Sequence, residues 1–567
     1  MERESSTPAS SWLGIDEAAP FAGKKATKDA AATDAFVRRW PKVVNATLVA
    51  FIMTMPPLLI LLGGGRPGAP AVWIKSTVAS LAARGEPKKD VLLGGLLLPG
   101  FDEQSCVSRY QSVYYRKNMT RPPSPHLLRR LRQQEALQRR CGPGTAAYWR
   151  AAERLGSRRN GTAGDDFVAT VDGCGYLVLI SYRGLGNRIL AITSAFLYAM
   201  LTGRVLLLDP GKTMADLFCE PFQATSWMLP GDFPLEHFRD LGEDAPESYG
   251  NVAVNRSGSV AGLRFVYAHL DHAATPANRL LYCDDHRQFL HRVQWVILRT
   301  DSYIAPGIFL NPAYKEELDM MFPNKDAVFY LLSRYLLHPT NDVWGMVTRF
   351  YHSYLKNADE RLGVQIRVFD GDEPFQHILD QILACTSQEH LLPGVVVSGH
   401  GGGVAPPPIA RSKAVLTTGL NSWYHDSIRD MYWRSPSATG EVVSVHQPSH
   451  ELHQHFFRST HDMKALAEMY LLSLTDKIVT SGWSTFGYVG AGLGGLTPYI
   501  MIKPENHTVP NPPCVRAMSM EPCDHGPPYF ECTKKEIDKI IDTGNLVPHV
   551  RSCEDVPWGR KLADPIS

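Results

Sequence analysis

From about position 176 onward the chain alternates short apolar runs with amphipathic stretches. The runs Leu177–Ile180, Val205–Leu208, Gln294–Leu298, Gly363–Phe369, Ala414–Thr417, Val442–Val445, Asp476–Thr480 and Tyr499–Ile502 read as strands. Helical periodicity falls between them, notably over Arg188–Leu201, Asp342–Lys356 and Met463–Leu474. Strand and helix in alternation predict α/β architecture, with parallel sheets covered by helices. A chain of 567 residues is long for one core and suits two such lobes with a cleft between them. Ahead of this region, Pro125–Arg140 has the pattern of a basic helix whose leucines pack on a lobe. The Gly- and Pro-rich segment Ser398–Pro408 reads as a surface loop.

One apolar stretch is different in kind. Val43 to Leu62 runs 20 residues without a charge, the length that crosses a bilayer core of roughly 30 Å. Lys24, Lys25, Lys28, Arg38, Arg39 and Lys42 precede it, and Arg66 is the only close charge after it. The positive-inside bias then puts residues 1–42 in the cytosol, with 63–89 as a stem and 90–567 as a lumenal domain. All 10 cysteines lie on the lumenal side, an even number that predicts disulfides in an oxidising compartment. So do the glycosylation sequons at Asn118, Asn160, Asn255 and Asn506; Asn45 has the pattern too but sits in the span. A net charge of +1 gives no reason to expect nucleic acid.

Three segments carry chemistry. Ser181-Tyr-Arg-Gly-Leu-Gly-Asn-Arg-Ile189 follows a strand and opens a helix, so its N–H groups face a cleft at the positive end of a helix dipole. Gly186 permits close approach, and Asn187 and Arg188 offer donors; a dinucleotide-binding turn is the rival, although Ile189 stands where a third glycine belongs. In Gly363-Val-Gln-Ile-Arg-Val-Phe-Asp370, Arg367 ends an expected strand, where a guanidinium suits a diphosphate or an internal salt bridge. The adjoining Asp370-Gly-Asp372 also fits a metal-binding pattern or an acidic loop. In Asp476-Lys-Ile-Val-Thr-Ser-Gly-Trp-Ser-Thr-Phe-Gly487, Ser484, Thr485 and the Phe486 N–H form a second anion cradle, or Ser484 caps the helix. Asp301 closes another strand, either as a turn residue or as a carboxylate serving an acceptor. His450, His453, His455 and His461 lack the companions that would make a metal site.

Longer stretches are more specific. GLGNRIL (184–190), LRTDSY (298–303), RYLLHPTNDVWG (334–345), GVQIRVFD (363–370) and TGEVVSVHQPS (439–449) resemble the plant xyloglucan-type α-1,2-fucosyltransferases, glycosyltransferase family 37. KALAEMYLLSLTD (464–476), WSTFGYV (483–489), RAMSMEPC (516–523) and LVPHVRSCEDVPWG (546–559) extend the resemblance over most of the lumenal part. It implies a GT-B-like fold of two Rossmann-like lobes, GDP-β-L-fucose as donor, no metal or other cofactor, and inversion to an α-linked fucoside. It implies that Arg367 binds the diphosphate with Ser484, Thr485 and Phe486. It places Gly186, Asn187 and Arg188 at the cleft edge, His446 and Gln447 near the nucleotide, and Asp301 beside the acceptor galactose. With the anchor, it implies a single-pass type II protein of the Golgi membrane. The acceptor stays open between xyloglucan, an arabinogalactan protein and another galactose-terminated glycan, since the insert 398–408, the stretch 450–461 and Ser422-Trp423-Tyr424 depart from the family pattern. A metal-dependent sugar transferase and a silent glycan-binding homologue are the rival readings. Self-association and assembly with other Golgi transferases are also left open.

Overall fold

The computed structural model describes residues 89–156, 173–256, 259–260, 262–284, 289–369, 371, 374–396, 411–456, 458–534 and 539–565. The apolar stretch 43–62, the tail and stem, Asn45, Asn160, the acidic pair Asp370 and Asp372, and the insert 398–408 lie outside them. Four strands, β1 (Gly175–Ser181), β2 (Arg204–Leu208), β3 (Phe265–Leu270) and β4 (Trp295–Thr300), form an all-parallel sheet in the order β2-β1-β4-β3. A second sheet takes β5 (Glu360–Gln365), β6 (Ser412–Thr418), β7 (Val442–His446), β8 (Lys477–Ser481), β9 (Tyr499–Met501) and β10 (Cys514–Arg516). Its order is β10-β9-β8-β5-β6-β7, parallel except for the last pairing of β10 on β9.

Along β1 the side chains divide by period two, as a strand covered on both faces must. Leu177 and Leu179 enter one apolar cluster, while Tyr176, Val178 and Ile180 enter another with Trp295, whose ring stacks on Tyr176 at 4.2 Å. The first cluster also takes in α1 (Pro125–Cys141) through Leu127 and Leu131, α2 (Leu185–Thr202), α3 (Val328–Leu336) and α4 (Asn341–Phe350). From the second sheet's side come Ala414, Leu416 and Ile478, with α5 (Ser459–Ser473) and α6 (Thr485–Gly494). One continuous core therefore joins the inner faces of both sheets, and the lobes share it as a middle layer. Leu362, Val364, Val415 and Val479 point the other way, into a third cluster.

Several expectations shift by a few residues, and one shift matters. The strand expected over Gly363–Phe369 ends at Gln365, because Ile366 gives its N–H to Thr418 and Arg367 turns off to the Ser481 hydroxyl at 2.9 Å. The helix expected over Asp342–Lys356 is α4 followed by a π turn at Tyr351–Leu355. β3 went unpredicted; it is the edge of its sheet and carries the half-buried His269, which interrupts the apolar signal. Among the described residues one helix, α2, is apolar and long enough to cross a membrane, and it is a core helix with 89% of its length buried. All 10 cysteines pair: Cys106–Cys219, Cys141–Cys174, Cys283–Cys532, Cys385–Cys514 and Cys523–Cys553. The sequon residues Asn118, Asn255 and Asn506 are exposed.

Candidate active site

Two strand-to-helix turns meet head to head. In one lobe β1 ends at Ser181, Arg183 takes a left-handed φ of 63°, Gly184 holds the N-cap position and α2 begins at Leu185. In the other, β8 ends at Ser481, Trp483 has φ 60°, Ser484 holds the N-cap position and α6 begins at Thr485. A non-glycine residue in this region is uncommon and needs its surroundings to hold it there. The two helix starts approach so closely that a Cβ on Gly186 would lie 2.7 Å from the Thr485 hydroxyl and 2.8 Å from its carbonyl carbon. The Thr485 hydroxyl donates to Asn187 Oδ1 at 2.9 Å, and Asn187 Nδ2 donates to the Asp301 carbonyl at 3.0 Å.

Beside this junction opens a cavity of about 600 Å³. Gly186, Asn187 and Arg188 line it from the first lobe, and Arg367, Ser484, Thr485 and Phe486 from the second. Ser484 is buried, yet its side chain makes no capping bond, so the capping reading fails for its hydroxyl while its position is that of the cap. The first bond within α6 runs from Tyr488 N–H to the Ser484 carbonyl, which leaves the N–H groups of the first turn without an intrahelical partner. Arg367 is half-buried, with Nη1 3.3 Å from Gln454 Oε1 and its guanidinium over the Phe369 ring at 5.5 Å. A helix N-terminus facing a guanidinium across a cavity is an arrangement that binds a phosphate-bearing anion.

Other expected residues fall elsewhere. Arg188 reaches the cavity wall, but its guanidinium serves Asp462 at 2.7 Å and Thr213 at 3.0 Å, and Thr213 in turn donates to Asp462. It braces one lobe against α5 of the other, so its expected use as a ligand donor is corrected to a buried ion pair. His446 and Gln447 do not line the cavity. His446 stacks against Tyr354 at 4.9 Å, and Gln447 donates to the Gly419 carbonyl at 2.9 Å, behind a loop that does line it.

Asp301 lines a second cavity, about 350 Å³, which shares Arg183, Asn187, Trp483, Thr485 and His525 with the first. Its carboxylate is buried and meets Arg183 Nε at 2.8 Å and the Ser302 hydroxyl at 3.1 Å. Burial raises its pKa, and the Arg183 cation opposes that rise. Asp271, His272 and Asp301 bring three ligand atoms within 4.8 Å of one another. Arg183 already counters Asp301, however, and Asp271 accepts from the Tyr182 hydroxyl at 2.7 Å and lies 3.3 Å from His269. The His-rich stretch forms no such grouping among the described residues; His461 pairs with Glu451 at 3.1 Å.

Residues that sequence reading left without a role complete the walls. Asp555 accepts the Trp483 N–H at 2.7 Å and the Tyr488 hydroxyl at 2.5 Å, fixing the left-handed turn, and its carbonyl accepts the Trp483 indole N–H. Trp558, 56% exposed, meets Trp483 edge-on at 5.5 Å and forms an aromatic rim to the second cavity. Glu468 on α5 is buried at the wall of the first cavity, takes the Ser449 hydroxyl at 2.5 Å, and is pushed up to about 8 by burial. The signal for Asp555 and Trp558 was present in the stretch 546–559 that carries part of the family resemblance, but nothing local said where that stretch folds.

Comparison with known proteins gives the family. A family model described as xyloglucan fucosyltransferase matches residues 71–533. The chain is 52% identical over 478 residues to a galactoside 2-α-L-fucosyltransferase of Pisum sativum, covering 84% of this chain and 82% of that protein. It is 51% identical to the Arabidopsis thaliana protein of the same name, with 83% of each covered. Among solved structures it is similar to a mutant of Arabidopsis thaliana FUT1 in complex with GDP, with a TM-score of 0.74 and 50% identity. That similarity covers 84% of this chain and all of the other.

Proposed function

The chain belongs to the xyloglucan fucosyltransferase family, and from that premise we propose how its cleft works as a galactoside 2-α-L-fucosyltransferase. The donor is GDP-β-L-fucose, and the product is an α-fucoside on O2 of a terminal galactose. The observation that carries the reading is the shared junction: an anion cradle and a buried carboxylate open onto two cavities joined at Arg183, Asn187 and Thr485.

In this reading the diphosphate lies against Arg367 and the first turn of α6, where Ser484, Thr485 and the Phe486 N–H meet it. These groups offset the charge that grows on GDP as the C1–O bond breaks, in a site where no donor has to reorient. The galactose enters over Trp558 and presents O2 to the opposite face of C1. Asp301 orients that hydroxyl and accepts its proton, directly or through one water. The raised pKa makes it a better proton acceptor than an exposed aspartate, while Arg183 keeps it ionised often enough to act. His446 and Gln447 support the nucleotide indirectly, through the Gly419 loop. The reaction needs no metal, so transfer persists in EDTA.

Xyloglucan is the favoured acceptor, with arabinogalactan protein as the alternative. The apolar stretch 43–62 anchors the chain in the Golgi membrane with residues 90–567 in the lumen, which fits the five disulfides and the exposed sequons. Incubating the lumenal domain with GDP-fucose and a panel of galactose-terminated glycans, then assigning the linkage by NMR, tests the reading. An α-1,2-linked fucose on galactose is expected; fucose on another sugar, or none on any of the panel, refutes it.

A further inference from the structure

Arg183, Asn187, Trp483, Thr485 and His525 line both cavities, so the new glycosidic bond must form in the space they enclose. Four of them are already engaged or offer hydrogens only. Thr485 donates its hydroxyl to Asn187 Oδ1, and Asn187 Nδ2 donates to the Asp301 carbonyl. The Trp483 indole donates to the Asp555 carbonyl. Arg183, which has donors and no acceptor, meets the Asp301 carboxylate. The fifth is the half-buried His525.

The segment that carries His525 is fixed on both sides. Cys523 is bonded to Cys553, two positions before Asp555. The Arg279 guanidinium donates to the carbonyls of Gly526 and Pro527, and a Cβ on Gly526 would lie 2.9 Å from the Asp271 carbonyl oxygen. His525 Nε2 lies 3.4 Å from the Tyr488 hydroxyl, whose only proton goes to Asp555 at 2.5 Å. Nε2 is therefore the donor in that contact. A neutral imidazole has one N–H, so Nδ1 holds a bare lone pair. Burial keeps His525 below its ordinary pKa, and the ring stays neutral although Asp555 and Asp301 favour its charged form. Nδ1 meets no donor among the described residues and is not sealed off from the space in front of it.

A rigid acceptor where the two cavities join calls for a donor from the ligand. We propose that His525 Nδ1 accepts a hydroxyl of the fucosyl ring, which makes His525 a residue that selects the donor's sugar and not its nucleotide. This rests on the reading of the cleft as a GDP-fucose site. The diphosphate has no hydrogen to give, and the attacking galactose hydroxyl has Asp301. The sugar being transferred is what fills the junction, and it brings hydroxyls at C2, C3 and C4. Because the imidazole is already held in place, the contact costs no reordering of the protein when the donor enters.

Calorimetric titration of the lumenal domain with GDP and with GDP-fucose, without acceptor, separates the sugar from the nucleotide. His525→Gln keeps an N–H near the Nε2 position for Tyr488 and removes the Nδ1 lone pair. His525→Asn keeps an oxygen near the Nδ1 position and removes the contact with Tyr488. The Gln variant is expected to bind GDP-fucose about 10-fold more weakly with GDP unchanged, and the Asn variant to lose about 3-fold or less. The reverse order, or an equal loss for both ligands, makes His525 a prop for Tyr488 and overturns the proposal. Of the GDP donors lacking the hydroxyl at C2, C3 or C4, one should bind the unaltered domain about 10-fold more weakly than GDP-fucose, but the Gln variant no more weakly. Discrimination that persists in the variant for all three also overturns it. Should the variants fail to fold, a crystal structure of the unaltered domain with GDP-fucose decides. A fucose hydroxyl within about 3.2 Å of Nδ1 supports the contact, and Nδ1 bonded to water alone refutes it. An unaltered domain that binds GDP but gains nothing from the fucose refutes the reading of the cleft itself, and the role of His525 with it.

Discussion

The two turns that meet at the cleft share a plan and differ in how they are held. Each has a serine at the strand end, a left-handed residue two positions on, and an N-cap one position later. Trp483 is fixed through its backbone N–H by the buried Asp555, which spends its carboxylate on structure. Arg183 is held through its exposed guanidinium by Asp301, whose carboxylate still faces a cavity. The first turn is therefore a rigid cradle of N–H groups suited to a fixed anion, and the second leaves an acid adjustable by one nearby cation. A transferase needs both: a preorganised wall for the leaving group, and a tunable one for the attacking hydroxyl.

Removing the cradle's cation should do most damage. Arg367→Ala is expected to lower kcat/KM by on the order of 1,000-fold, as loss of a charged transition-state contact does. Steady-state kinetics check this; near-normal rates would place the diphosphate elsewhere. Asp301→Asn should cut kcat by roughly 100-fold or more, with GDP affinity by calorimetry nearly unchanged. A parallel loss of GDP binding would mean that the two walls are not separate in function.

Closer to the junction, Gly186→Ala pushes a methyl into Thr485 and must part the turns. An overpacking cost of about 1–3 kcal/mol is expected, read as a lower Tm and a higher KM for the donor. Arg183→Met sharpens the comparison further. Without the cation the Asp301 pKa rises further from its already raised value, so the alkaline-rising limb of the pH–rate profile moves to higher pH. An unmoved limb would exclude Asp301 as the titrating base.

The smallest effect is on stability, and its sign follows from the acids buried around the walls. Burial pushes Glu468 and Glu521 up to about 8 and Asp524 to about 7, from ordinary values of 4.5 and 3.8. The folded chain then holds more protons than the unfolded one between those limits, so this stability is present at low pH and lost as pH rises through 7 to 8. His338, His446 and His525 are held below their ordinary 6.5 by burial, and His549 at about 4, so they oppose this on the acid side. A Tm maximum near pH 6.5 that falls by a few degrees toward pH 9 is expected, about 2 °C or more by scanning calorimetry.

How much of this was legible beforehand depends on the kind of interaction. The apolar runs announced seven of the eight expected strands to within about two residues at each end, because burial on both faces of a parallel sheet leaves a local mark. Gly363–Phe369 was the exception, since its apolar pattern continues past the point where the chain turns toward Ser481. Of the residues expected at the site, seven line one cavity and Asp301 lines its neighbour, while His446 and Gln447 stand behind a loop. Arg188 read as a donor to a ligand because Asp462, 274 positions away, gave no sign of being its partner.

Sequence alone determined the alternation of strand and helix, the two strand-to-helix turns at 181–189 and 481–487, the expectation that the cysteines pair, and the family. Each follows from periodicity, from short-range turn chemistry or from long matching segments. Only the tertiary structure decided that Gly186 touches Thr485, that Asp301 is tuned by Arg183, and that Asp555 pins Trp483. These pairings depend on distance in space. Asn187 and Thr485 are 298 positions apart, and nothing in the neighbourhood of either specifies the other until one core has closed between the sheets.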